Sequence, residues 1–180
     1  MKKKIVLSLM LIVSLFMITG CGSKKEEKKK ETKKDDTMKE IVLKDDGFGT
    51  TTFKYDKDKD YEVEIKEGGK YKTLVISSEK ENFEVEIYHT DTSDDGYNSL
   101  KENRSNKDEF KEYTWNKYNG YSYDGSKTGI SFNILLKDGA EAKVLFGEFD
   151  YKDYKTANVS ETFKGESVQK LLNSITFKEN

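Results

Sequence analysis

The chain opens on one apolar stretch and then changes character twice. Ile5 to Ile18 is apolar apart from two serines. From Ser23 to Glu40 the only large apolar side chain is Met38. Beyond that, apolar and polar residues alternate in short runs, the period of a half-buried β-strand. Ile41-Val42-Leu43 predicts an edge strand, and Thr51 to Tyr55 predicts a second strand. Tyr61-Glu62-Val63-Glu64-Ile65 alternates strictly, with Tyr61, Val63 and Ile65 on one face. Leu74-Val75-Ile76 reads as a more buried strand, and Phe83 to Ile87 alternates again. Asp45-Asp46-Gly47 and Glu67-Gly68-Gly69-Lys70 supply turn residues between these runs. Strands punctuated in this way favour an antiparallel meander with one wet face.

The second half adds helices. Residues 94–104 suit a short helix capped by Ser93 or Asp94, with Tyr97 and Leu100 facing inward. Phe110 to Trp115 returns to strand. Asn119-Gly120, between Tyr118 and Tyr121, is a two-residue hairpin signal. Ile130 to Leu136 and Ala142 to Phe149 predict two strands joined at Asp138-Gly139. Val168, Leu171, Leu172 and Ile175 fall at i, i+3, i+4 and i+7, which is one apolar helix stripe. A short tail around Phe177 follows. The pattern predicts an α+β domain, an antiparallel sheet with helices packed on its faces.

The opening stretch has a different meaning. Lys2, Lys3 and Lys4 precede it, and Ile5 to Thr19 spans fewer than the ~20 residues a membrane helix needs. Basic residues, an apolar core and a small-residue ending describe a secretory signal peptide. The ending, Ile18-Thr19-Gly20-Cys21, resembles the lipobox of bacterial lipoproteins. That resemblance implies cleavage before Cys21 and a diacylglyceryl group on its thiol. Cys21 is the only cysteine in the chain, and lipidation accounts for a lone thiol in an exported protein. The chain then divides into a signal peptide (1–20), a lipidated cysteine with a charged, disordered tether (21–40) and a single domain (41–180).

Charge sharpens this division. The chain carries −2 overall, of which Lys2 to Lys4 contribute +3 and the tether +2, leaving the domain at −7. Lysines beside an anionic leaflet add attraction to a lipid anchor. An acidic domain argues against nucleic acid, which needs a basic face.

The layout of the domain resembles the PsbP-like fold, an α/β/α sandwich. Phe53-Lys54-Tyr55 opens the first main strand, Asn119-Gly120-Tyr121 lies in the central hairpin, and a C-terminal helix closes on Ser174-Ile175-Thr176-Phe177. The resemblance covers roughly residues 51–177, with Asp56 where the family commonly has proline. It implies an accessory or scaffolding role and passes on no catalytic residues.

Candidate chemistry is sparse. His89 is the only histidine, and the only thiol is the one expected to be lipidated. No phosphate-binding loop, dinucleotide fingerprint or HExxH motif occurs. The best metal candidate is a calcium loop counted from Asp91, with oxygen ligands at Asp91, Ser93, Asp95 and Glu102 and a glycine at Gly96. The same residues also read as a helix start enriched in Asp and Ser. Trp115, Tyr118, Tyr121 and Tyr123 form an aromatic hairpin. With a turn at Asn119-Gly120, Tyr118, Tyr121 and Tyr123 share one face and Trp115 lies on the other. An exposed face would be a stacking surface for sugars or peptides; a buried one would be core. The sequence therefore predicts a non-enzymatic, extracytoplasmic protein of the cell envelope. It would be held at the membrane by its lipid anchor and would bind an envelope protein or a wall polymer, with no cofactor unless calcium.

Overall fold

A computed structural model describes residues 37–125, 129–150 and 159–180. The fold is α+β. Two antiparallel sheets carry the chain, and helices pack on them. Strands β1 (Met38–Asp45) and β2 (Gly49–Asp56) pair with β10 (Thr176–Glu179) in a sheet of order β1-β2-β10. The larger sheet contains β3 (Glu62–Lys66), β4 (Thr73–Ser78), β5 (Phe83–Thr92), β6 (Lys111–Trp115), β7 (Tyr118–Asp124), β8 (Ile130–Lys137) and β9 (Ala142–Asp150). Its order is β3-β4-β5-β9-β8-β7-β6. Helix α1 (Asp94–Arg104) follows β5, and α2 (Val159–Lys164) and α3 (Glu166–Asn173) precede β10. β1 begins at Met38, three residues before the sequence reading starts the domain, and Lys39 and Glu40 pair with Tyr55 and Lys54.

Alternation along the strands decides what lies inside. On β5, Phe83, Val85, Ile87 and His89 face inward, while the residues between them are partly or wholly open. The main core joins the inward faces of both sheets to α2 and α3. Phe163 of α2 packs against Phe132 and Phe149 at centroid distances of 5.7 and 5.6 Å. Val168, Leu171 and Leu172 of α3 are buried, followed by Ile175, so the predicted stripe faces the core. Truncating any one of these Leu residues to Ala costs about 2–5 kcal/mol. Gly147 keeps this layer close, since a Cβ there would meet Phe132 Cζ at 2.0 Å.

A smaller cluster of Tyr97, Tyr121, Tyr123 and Val144 lies under α1. Ser93 caps α1, its Oγ accepting from Gly96 N–H at 3.0 Å. Leu100, expected to face in, is 47% exposed. The contacts of α1 explain this. Tyr97 meets Tyr121, Lys101 reaches Glu112, and Arg104 lies over Tyr123. The spacing i, i+4, i+7 sets the sheet-facing stripe, and Leu100 falls beside it.

The central hairpin also differs from expectation. Its turn is Asn116-Lys117, with Trp115 opposite Tyr118, and Asn119 and Gly120 lie inside β7. Asn116 takes a left-handed φ of 56°. Its side chain donates to Ile175 O at 2.8 Å, and its N–H donates to Asn173 Oδ1 at 3.2 Å. Those bonds tie the turn to the end of α3. Gly120 is needed for close approach: a Cβ there would meet Asn133 O at 2.4 Å and the Trp115 ring at 2.6 Å.

Candidate functional site

The smaller sheet is joined to the larger one by three buried polar residues. His89 Nδ1 lies 2.6 Å from Asp45 Oδ2, and His89 Nε2 lies 2.8 Å from Thr51 Oγ1. A carboxylate only accepts, so Nδ1 carries the hydrogen and donates to Asp45. Nε2 then accepts from the Thr51 hydroxyl. The other Asp45 oxygen accepts from Lys72 N–H at 2.9 Å. Asp45 ends β1, Thr51 sits in the central strand β2, and His89 faces inward from β5. Phe48, in the tight link between β1 and β2, stacks on the imidazole at 4.1 Å and 15°. Burial lowers the His89 pKa from its usual 6.5, and the hydrogen bond and charge of Asp45 oppose that shift. Its tendency is therefore to remain neutral.

A second cluster borders the first. Asp91 Oδ1 pairs with Lys143 Nζ at 2.8 Å, and Asp91 Oδ2 pairs with Lys70 Nζ at 2.6 Å. The Tyr71 hydroxyl donates to the same Oδ2. Lys143 Nζ also lies 4.8 Å from the centroid of the Phe48 ring. Burial alone would raise the Asp91 pKa, but the hydrogen bonds from Lys143, Lys70 and Tyr71 outweigh it and hold the carboxyl well below the usual range. An open cleft of about 400 Å³ runs here, bordered by the Gly68-Gly69 loop, Lys70, Tyr71, Tyr88, His89 and Asp91. His89 meets it with its main chain: the residue is 1% exposed and its side chain 0%, so the imidazole is sealed from the cleft.

Hydroxyl, imidazole and carboxylate stand in the order of a nucleophile relay. A nucleophile must also meet its substrate, and Thr51 is 0% exposed, flanked across the small sheet by Leu43 and Phe177. All three groups are spent on one another and on the main chain. The arrangement joins two sheets and presents no reactive atom to solvent.

Of the predicted site residues among those described, only Asp91 borders this site. Cys21 lies outside the described residues. Asp91 is held by the two ammonium groups, and Ser93 caps α1. Asp95 and Glu102 lie on α1 itself. Among the described residues, no group of three or more His, Cys, Asp and Glu is placed to hold a metal ion. Asp91 lies in strand β5, where a calcium loop has an entering helix. Trp115, Tyr118, Tyr121 and Tyr123 are all buried, so the hairpin presents no aromatic platform. With the turn three residues earlier than expected, Tyr118 joins Trp115 in the main core, while Tyr121 and Tyr123 lie under α1. Trp115 Nε1 donates to Gln169 Oε1 at 3.0 Å.

Asp45, Thr51 and Phe48 were not marked by any sequence motif. Thr51 and Asp45 are separated from His89 by 38 and 44 residues, and only the stacking of two sheets unites them.

No protein-family model matches the chain, and neither does any curated protein. Among solved structures, the crystal structure of LpqN, described as involved in cell envelope biogenesis of Mycobacterium tuberculosis, is similar at 11% identity, covering 80% of this chain and 93% of that one with a TM-score of 0.42. A likeness of that extent transfers neither a family nor a function.

Proposed function

We propose that this chain is a lipid-anchored, extracytoplasmic accessory protein of the cell envelope, acting by binding an envelope protein or a wall polymer rather than by catalysis. The observation that carries the reading is the closure of the Asp45–His89–Thr51 array. The only histidine of the chain is sealed in a joint between sheets, with Thr51 wholly buried. General acid–base work needs a group within hydrogen-bond reach of a substrate. The N-terminal pattern supports the location: Lys2 to Lys4, the apolar stretch to Ile18, and Thr19-Gly20-Cys21. Two acyl chains on Cys21 would give stable attachment where one gives only marginal binding.

Metabolic labelling with a fatty-acid probe, followed by membrane fractionation, tests the anchor. The parent chain is expected to carry the label and sediment with membranes. Cys21→Ala is expected to lose both properties. A Cys21→Ala chain that still labels and sediments like the parent would overturn the anchored reading.

A further inference from the structure

We propose that the cleft beside Tyr88 binds an uncharged sugar unit of an envelope glycan, a site that rests on the wall-polymer reading above and names its ligand class. The cleft exists because two neighbouring strands end at different points. β4 pairs with β5 only as far as Thr73, opposite Tyr88. Lys72, the residue before Thr73, gives its N–H to Asp45 instead. β5 runs on through Thr90 to Thr92 and, among the described residues, pairs there with β9 alone. The space of about 400 Å³ beside it falls within the range of small-molecule sites, about 300–1,000 Å³.

Tyr88 supplies a stacking surface. Thr73, Tyr88 and Phe146 form one cross-strand row on the outer face of the larger sheet. The Tyr88 ring packs on Phe146 at 5.0 Å between centroids and stays 37% exposed. A ring held in this way offers apolar area to the C–H face of a sugar, with a hydroxyl at its tip. Three hydroxyls border the same cleft, those of Thr73, Tyr88 and Thr90. Among the described residues, none of the three has a hydrogen-bond partner. A hydroxyl both donates and accepts, which is what the hydroxyls of a sugar require. Charge around the cleft nearly cancels. Lys66 pairs with Glu86, Lys70 and Lys143 share Asp91, and Glu148 is exposed on the outer face. An ionic ligand would find no unmatched partner here, and a neutral ring needs none.

Saturation-transfer NMR on the full chain, held in a detergent without a sugar headgroup, tests this site. The probes are N-acetylchitotriose, maltotriose and a short glycerol-phosphate chain. The parent should pass saturation to the ring C–H protons of at least one trisaccharide and not to the glycerol-phosphate chain. Tyr88→Ala should weaken that binding by about tenfold. Thr90→Val removes one hydroxyl, keeps a β-branched side chain and should weaken binding about threefold. Val42→Ala, an exposed change on the smaller sheet, should bind like the parent, and circular dichroism should show all three variants folded. No transfer to either trisaccharide at millimolar concentration would overturn the proposal. So would equal transfer to the glycerol-phosphate chain, or Tyr88→Ala binding like the parent. Co-sedimentation with purified cell walls separates this cleft from wall binding in general. A parent that sediments with walls, and still does so as Tyr88→Ala, would overturn the cleft and leave wall binding standing.

Discussion

Acidification from pH 7.5 to 5.5 should destabilise the domain, with His89 as the cause. The chain has no second histidine to share the effect. Burial lowers the His89 pKa below its usual 6.5, against the opposing pull of Asp45. The unfolded chain therefore takes up a proton near pH 6.5 that the folded chain refuses. Stability is whole above about pH 6.5 and is lost as the pH falls below that value, until the folded pKa is reached. The steepest slope is one proton, about 1.4 kcal/mol per pH unit. For a domain of this size that corresponds to about 4–6 °C in Tm per unit. Circular dichroism melts of the parent and of His89→Gln across this range measure it. The variant should be less stable throughout, by roughly 1–3 kcal/mol for disturbed buried hydrogen bonds, and its profile should be flat. A parent Tm that holds steady from pH 7.5 to 5.5, or a variant that keeps the parent's slope, would refute the reasoning.

Three further outcomes follow from the packing. Gly147→Ala should lower stability by about 1–3 kcal/mol through overpacking, because a Cβ there meets Phe132 Cζ at 2.0 Å; chemical denaturation measures this directly. Trp115 is buried and hydrogen-bonded to Gln169, so its fluorescence should be blue-shifted, insensitive to iodide and unchanged by added cell-wall fragments. Millimolar calcium should leave Tm unchanged, since Asp91 is already held by Lys143 and Lys70; a rise that disappears in Asp91→Ala would contradict this.

Local patterns were the legible part of the fold. Period-two alternation located β2, β3 and β5, apolar runs either side of Asp138-Gly139 located β8 and β9, and Ser93 followed by Asp94 and Asp95 marked the start of α1. These signals depend on neighbours within a few residues. Asn119-Gly120 misled because Gly120 serves a tertiary contact with Trp115 and Asn133, while Asn116 takes the turn. Alternation in β3 indicated which side chains share a face, but it could not show that the covering layer ends at β4. β10 was read as a tail because its four residues gain their role only by pairing with β2, more than a hundred positions away. The Asp45–His89–Thr51 array was illegible for the same reason. Its parts sit on three strands in two sheets, and each residue alone looks ordinary.

The sealing of His89 bears most directly on binding as opposed to catalysis, and diethyl pyrocarbonate measures it. This reagent acylates accessible neutral imidazole, and the chain offers a single target. Modification of the His89 peptide should be followed by mass spectrometry in the native chain and across a urea series. With both ring nitrogens bonded and the side chain 0% exposed, reaction should require unfolding. Given ordinary domain stability, the native rate should be at least about a thousandfold below the unfolded rate, and it should rise in step with the unfolding transition. A native rate within about tenfold of the unfolded one would show an open imidazole at neutral pH and would contradict the account.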